Sequence, residues 1–227
     1  MNAERLLQHF DRISEAPDAI PRLRRFILDL AVRGKSVEQD PNDEPASELL
    51  KRIEAEKMRL VKEGKIRAPR ASNCSEGNES PFSLPRSWKW CHLNEVGVIV
   101  GGGTPSSGDH DNFTKGGQGI AWLTPADLGK HRELYISHGA RDLTKKGLVS
   151  SSATLMPKGS VLFTSRAPIG YTAIAWNEIS TNQGFKSIVP YVRDCSRYIA
   201  VYFFGRLRRG LMARRQGRLF VKCRGKS

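Results

Sequence analysis

No apolar stretch in this 227-residue chain approaches the roughly 20 residues that span a bilayer. The opening MNAERLLQHFDR carries acids and has no apolar core of the signal type. Both absences point to a soluble, cytoplasmic protein with no membrane partner. Cysteine is scarce. Cys74, Cys91, Cys195 and Cys223 include no C-x-x-C pair, and Cys91-His92 has no second close pair after it. That excludes a zinc ribbon and leaves isolated reduced thiols. His9, His92, His110, His131 and His138 lack metal-ligand spacing. The chain also has no G-x-S-x-G, no H-E-x-x-H, no H-x-E…P-C-x-x-C and no N/D-P-P-Y/F tetrapeptide. No G-x-G-x-x-G follows a strand-like run. Nucleophile-elbow hydrolysis, zinc hydrolysis or deamination, amino-methyl transfer and dinucleotide binding therefore have no footing.

GGGTPSSGDH, residues 101–110, imitates a phosphate loop, since four residues lie between Gly103 and Gly108. Asp109 and His110 then occupy the positions where Lys and Ser/Thr would be needed. An Asp there repels phosphate, so the segment is not read as a nucleotide site. Pro17-Asp18 with Glu63-Gly64-Lys65 matches a restriction-nuclease carboxylate pattern literally. Glu63 and Lys65 flank a helix stop, and their charges read as a solvated face instead.

Charge is unevenly placed. The formal net charge is +14, from 37 Lys/Arg and 23 Asp/Glu. Residues 197–227 hold ten bases and no acid, leaving 27 bases against 23 acids elsewhere. Such a tract attracts polyanions without reading sequence. An out-of-frame or disordered end is the alternative. Proline is absent after Pro190 and acid after Asp194, which marks 197–227 as a separate tract.

Residues 1–70 read as helical. Ile20, Leu23, Ile27, Leu30 and Ala31 recur at three- and four-residue steps, and Gly34 stops the run. Asp43 or Glu44, with Pro45 in the first turn, opens a second helix whose stripe is Leu49, Leu50, Ile53, Leu60 and Val61. Glu48 and Arg52 are spaced to support it, and Gly64 ends it. Either the pair is a hairpin on a core, or it offers a face to a partner protein. Residues 71–80 read as a linker. Beyond Pro81, EVGVIV (95–100), GIAWL (119–123), SVLFTS (160–165), YTAIAW (171–176) and FKSIVP (185–190) read as strands. DLTKKGLVSSSATL suggests a short helix with turns. The expected class is α+β: an N-terminal helical segment followed by a mixed sheet, not an alternating βαβ series.

Polar loops between these strands carry the remaining chemistry. TSRAPIGYT sets Arg166 between a strand end and a turn, and STNQGFK collects Thr181, Asn182, Gln183 and Lys186. Asn and Gln can pair bidentately with adenine, and Arg and Lys with guanine. Ser, Thr and backbone N–H groups suit phosphate. Ordinary turns remain the alternative.

LPRSWKWCHLNEVGVIVGGGTPS, GIAWLTPADL, SSATLMPKGSVLFTSRAPIGYTAIA and STNQGFKSIVP together resemble a target-recognition domain over about residues 83–204. The family is the specificity subunit of type I restriction-modification systems. Residues 18–66 also resemble the helical segment that precedes such a domain. The resemblance implies a non-catalytic subunit. It would read one half of a bipartite site in double-stranded DNA and direct adenine methylation and restriction by partner chains. The modification (methyltransferase) subunits would bind S-adenosylmethionine, and the restriction subunits would use ATP with Mg²⁺; this chain would bind no cofactor and no metal. A protein-interaction module that binds modification subunits without DNA specificity is the alternative.

The implied organisation is 1–70 helical segment, 71–80 linker, 81–204 recognition domain and 205–227 basic tail. One recognition domain is present where the family has two. GRLRRGLMARRQGRLFVKCRGKS also lacks the P-x-P segment and Glu-Gln pair expected before a spacer helix. A truncated or frameshifted chain is therefore expected, with a second half-subunit as a further candidate partner. The resemblance places GGGTPS after the first strand of the domain, where it turns the chain into a variable loop. The recognition surface is expected on loops 101–118, 122–130, 164–170 and 180–186. The DNA-contacting set is Thr104, Ser106, Lys115, Thr124, Ser165, Arg166, Thr181, Asn182, Gln183 and Lys186. For Thr104 and Ser106 a purely structural turn is the alternative.

Overall fold

The computed structural model describes residues 8–9, 17–67, 82–166, 168–207 and 220–223. The 71–80 linker and most of the 205–227 tail lie outside them. Helix α1 is Ala19–Val32 and helix α2 is Ala46–Lys62. Both stop in the same way. Gly34 (φ 67°) and Gly64 (φ 66°) take the left-handed conformation. The following N–H returns to a carbonyl of the last turn, Lys35 to Leu30 at 2.8 Å and Lys65 to Leu60 at 2.9 Å. These are Schellman closures, and they answer the two glycine stops seen in the sequence.

Two details of the helices differ from expectation. The N-cap of α2 is Pro45, one residue later than expected, because the Ala46 N–H is held by the Ser87 carbonyl at 2.8 Å. Glu48 does not pair with Arg52. Lys51 takes Glu48 (3.0 Å), and Arg52 reaches back to Glu44 (3.0 Å). The apolar stripe of α1 also splits. Ala19 and Val32 are buried, while Ile20 and Ile27 stand 58% and 50% exposed. The helix packs on a later helix, so its inward side is set by that partner.

Next come strand β1 (Lys89–His92), the single turn α3 (Leu93–Val96) and strand β2 (Gly97–Gly101). A 3₁₀ turn (His110–Asn112), β3 (Phe113–Lys115), β4 (Ile120–Leu123) and α4 (Pro125–Lys130) lead on. β5 (Tyr135–Ile136), β6 (Arg141–Leu143) and α5 (Lys145–Val149) follow. Then come β7 (Val161–Phe163), β8 (Thr172–Ala175), β9 (Ser180–Thr181) and β10 (Lys186–Pro190). Helix α6 (Cys195–Leu207) and strand β11 (Phe220–Cys223) close the series.

The class is α+β, built on two mixed sheets. One has strand order β2-β10-β7-β8-β5 and the other β3-β6-β4-β9, with β11 beside β1 as a separate pair. Parallel pairing occurs at β5–β8 and β4–β9. β7 and β8 lack the alternation of a half-buried strand because both faces are covered. Val161, Phe163, Ile174 and Ile188 point to a core shared with Val32, Leu49 and Ile53 of the first two helices and Ile199 of α6. Leu162, Ala173, Ala175 and Phe185 point the other way, toward Leu123, Leu128 and Met156. The helical front thus shares one core with the sheet. α6 crosses residue 197, where the composition changes, and buries Ile199, Ala200 and Tyr202. Cys91 and Cys195 are buried and form no disulfide.

The two helix stops make unequal demands. A Cβ on Gly34 would lie 2.7 Å from Pro85 Cγ and 3.2 Å from the Trp88 ring, whereas one on Gly64 meets nothing within 4 Å. Gly64→Ala is expected to cost about 1–2 kcal/mol from the left-handed backbone alone. Gly34→Ala adds overpacking and should reach roughly 2–5 kcal/mol. Urea unfolding of the two variants measures the difference. Equal losses would remove the packing role of Gly34.

Candidate nucleic-acid interface

Three polar segments meet at one end of the five-stranded sheet. Lys186 opens β10 opposite Gly101, the last residue of β2. Thr164 bridges Phe185 beside them. The Gly184 carbonyl accepts the backbone N–H of Ser165 (2.8 Å) and Arg166 (3.2 Å), and also the Ser165 hydroxyl (3.2 Å). The Thr104 hydroxyl donates to the Gln183 side-chain carbonyl across 79 residues of sequence. Strand β9, parallel to β4, adds a fourth segment. The Asn182 N–H reaches the Leu123 carbonyl at 2.9 Å, which sets Thr124 alongside.

Of the glycines of 101–103, Gly102 and Gly103 are required by close approach. None has a positive φ. A Cβ on Gly102 would sit 2.0 Å from the Asn182 carbonyl oxygen and 2.4 Å from that of Thr181. On Gly103 it would meet the Ser152–Ala153 backbone at 2.3 Å. The Gly103 N–H donates to the Thr181 carbonyl at 2.8 Å, and the buried Trp122 indole donates to the Gly103 carbonyl at 3.0 Å. Backbone packed on backbone thus holds the turn, and the phosphate-loop likeness is incidental.

The structure brings six of the ten sequence-derived contact residues together and places the other four differently. Arg166, Gln183, Lys186 and Thr104 are exposed and lie together. Ser165 and Asn182 are half-buried beside them. The Asn182 carboxamide oxygen accepts the Gly184 N–H at 2.9 Å, so part of its acceptor capacity shapes the turn. Thr181 is a correction. It is 1% exposed, with its hydroxyl over Gly102 in the interior, so it supports the surface from beneath. The Thr124 hydroxyl donates to Asp127 at 2.7 Å in a capping box on α4. Ser106 and Lys115 are exposed on the 104–118 excursion. Lys115 lies opposite Arg141 on the second sheet.

The sequence reading missed the residues that hold that excursion. Asp142 is buried and accepts the N–H of Gly117 (2.7 Å) and Gly119 (3.1 Å). The Asn112 amide donates to the Ser106 carbonyl at 3.1 Å. Lys146 meets Asp109 at 2.8 Å and Asp111 at 3.2 Å. The hydrogen bond from Lys146 holds the Asp109 carboxyl below the ordinary carboxylate range, and the same contact raises Lys146. Beside Thr124 opens a concavity of about 510 Å³, lined by Trp122, Asp127, Lys130, His131 and Arg141 among others. The Arg141 guanidinium lies 4.6 Å from the Phe113 ring centroid and 5.9 Å from that of Trp122. Lys130 and Arg141 therefore extend the cationic rim past the residues named from sequence. Among the described residues no cluster of three or more His, Cys, Asp or Glu could hold a metal. Glu63, named in the nuclease pattern, is tied to Arg59 (3.1 Å) and Lys65 (2.8 Å) beside the α2 stop.

Solvent-facing Arg, Lys and Gln side chains thus stand on a locked backbone platform. The family profile described as "Type I restriction modification DNA specificity domain" matches residues 85–217, more than half of the chain. The chain belongs to that family. The match runs past residue 204 into the arginine-rich tract. It is 41% identical over 120 residues to the type I restriction enzyme MjaIX specificity subunit of Methanocaldococcus jannaschii, covering 53% of this chain and 27% of that protein. With the EcoEI specificity subunit of Escherichia coli it shares 50% identity over 95 residues, 42% of this chain and 16% of that protein. With the EcoAI specificity subunit of the same species it shares 41% over 138 residues, 61% of this chain and 21% of that protein. The chain thus matches well under a third of these relatives' lengths. A solved HsdS subunit from Thermoanaerobacter tengcongensis aligns over 98% of this chain and 47% of its own, at 18% identity and a TM-score of 0.46.

Two outcomes are expected. Gly102→Ala should cost about 3 kcal/mol, since backbone oxygens cannot move aside as a side chain can. Gly108→Ala, which meets nothing within 4 Å, should stay within about 0.5 kcal/mol. Chemical denaturation distinguishes them. The second outcome concerns pH. A carboxyl whose folded pKa is depressed stabilises the fold above its unfolded pKa and loses that contribution as pH falls through the folded one. The melting-temperature gap between wild type and Lys146→Met should therefore narrow as pH drops through and below the usual carboxylate range. A gap independent of pH would remove the role given to Asp109.

Proposed function

We propose that this chain is a non-catalytic, DNA-reading specificity subunit of a type I restriction-modification complex, acting in the cytoplasm. It reads one half of a bipartite duplex site and directs adenine methylation and restriction carried out by partner subunits. S-adenosylmethionine, ATP and Mg²⁺ belong to those partners. The observation that carries this reading is the meeting of 101–104, 164–166 and 182–186 at one sheet end, with Arg166, Gln183 and Lys186 facing outward.

Arg166 and Lys186 suit phosphate or guanine, and both Gln183 and Asn182 carry amide N–H groups for an adenine edge. Thr104 holds the Gln183 carboxamide in place, which lowers the entropy lost when that side chain is ordered on a base edge. Lys115, Lys130 and Arg141 extend the positive rim for the neighbouring phosphates.

The test is a binding series with duplexes that do and do not contain the methylated site. If Arg166 and Lys186 hold phosphate, Arg166→Ala and Lys186→Ala should each weaken all duplexes alike and reduce the salt slope by about one. Gln183→Ala should cost about 1–3 kcal/mol on the cognate duplex alone. Unchanged DNA affinity in folded Arg166→Ala and Lys186→Ala proteins removes the site assignment. Binding to the modification subunit without any sequence preference would make the chain an interaction module.

A further inference from the structure

The opposite end of the five-stranded sheet carries a second exposed cluster that DNA reading does not use. Trp176 follows β8 and is 54% exposed. Lys158, just before β7, holds its ammonium 4.1 Å from the Trp176 ring centroid. Tyr135 of the edge strand β5 meets Trp176 edge-to-face at 5.6 Å. Arg197 of α6 donates to the Tyr135 hydroxyl at 2.8 Å, with its guanidinium 5.8 Å from that ring. Lysine, tryptophan, tyrosine and arginine thus form one continuous stack. Arg197 also borders a groove of about 250 Å³ between α1 and α6, whose apolar lining includes Val37, Trp88 and Val201. Val37 is 56% exposed.

Strand register separates this cluster from the DNA-facing one. Phe163 pairs with Thr172, Thr164 with Phe185, and Lys186 with Gly101 at one end of the sheet. Val161 pairs with Ile174 and Pro190 with Gly97 toward the other, where Lys158 and Trp176 lie. β2 and β5 are also four strand steps apart, roughly 19 Å at the usual spacing. Arg166 and Lys186 thus lie at one end of the strands and Trp176 at the other.

Exposed tryptophan and arginine with a half-buried tyrosine between them, beside an apolar groove, have the composition of a protein-binding hot spot. Among the described residues neither Lys158 nor Arg197 forms an ion pair with a carboxylate. Two copies of this surface would set those cations against each other, which disfavours self-pairing. We infer that the Lys158–Trp176–Tyr135–Arg197 stack and the adjoining α1/α6 groove dock a companion protein subunit. The docked segment carries carboxylates for Lys158 and Arg197 and a large apolar side chain for the groove. This rests on the proposed function and assigns a surface to the partner that it requires.

The experiment titrates the purified full-length chain with the type I modification subunit from the same source, by calorimetry. Retention of a duplex pool and thermal melting are followed in parallel. Trp176→Ala and the Lys158→Glu/Arg197→Glu double variant are each expected to weaken subunit binding by about tenfold or more. DNA retention and melting should stay as in wild type. Lys158→Glu alone, on an exposed turn, keeps the test open if Trp176→Ala fails to fold. If wild type binds the subunit and every folded variant binds equally well, this surface assignment is overturned while the proposed function stands. If wild type does not bind the subunit, the companion-subunit reading fails and takes this one with it. Loss of DNA retention in Trp176→Ala assigns the stack to nucleic acid and overturns it. So does a wild-type dimer that Trp176→Ala converts to monomer in sedimentation.

Discussion

The fit of Gly102 against the Thr181–Asn182 carbonyls is the contact on which the proposed recognition surface depends. Two chain segments almost 80 residues apart touch backbone to backbone, at a distance that admits no Cβ. The Gly103 N–H and the Trp122 indole secure the same turn from either side. Because that contact is rigid, Thr104 stands where its hydroxyl reaches Gln183, and Lys186 stands over Gly101. The Gly184 carbonyl then fixes Ser165 and Arg166 through three donors. The side chains offered to solvent are long and polar, yet their Cα positions are held by carbonyl acceptors and strand register. A recognition surface gains from this arrangement, since side chains can vary without moving the platform.

Much of the fold could be read from the residues, for a definite reason. The runs at 160–165, 171–176 and 185–190 are strands buried on both faces, so apolar content alone reveals them. The glycine stops at 34 and 64 are local chemistry, needing only φ above zero and a returning N–H. The short strands β3, β5, β6 and β9 escaped because each is two or three residues long. Lys115, Arg141 and Ser180 do not signal a strand without their neighbours. The inward side of α1 was misjudged at Ile20 and Ile27 because its packing partner, α6, lies about 170 residues away in a tract marked off by its composition.

The candidate site shows the same division. Arg166, Gln183 and Lys186 were visible as polar residues in loops between strands, and the structure sets them together on the surface. Thr181 stands in the same STNQGFK segment as Gln183 and Lys186 and looks identical on paper. It is buried because β9 pairs in parallel with β4, a nonlocal event that turns one residue in and leaves Gln183 out. Thr124 likewise reads as a loop hydroxyl and serves as a helix cap. Asp142 gave no signal, since a lone acid in a short strand has no pattern. Only the fold shows that its carboxylate gathers the turn between β3 and β4.

The two ends of the five-stranded sheet carry different chemistry, and the difference follows from what lies beneath each. At the Lys186 end, strand ends give way to glycine-rich turns with close backbone contacts, which leave polar side chains projecting from a thin, stiff edge. At the Trp176 end, α6 begins beside β8 and its first turn is stapled by Ser196 to the Gly159 carbonyl at 2.7 Å. Helix and sheet together make a broad floor there, wide enough for stacked rings and an apolar groove. A thin polar edge suits the grooves and phosphates of a duplex, whereas a broad aromatic floor suits another folded chain. The proposed function calls for both kinds of surface. One strand register, running from Gly101–Lys186 to Gly97–Pro190, keeps them apart.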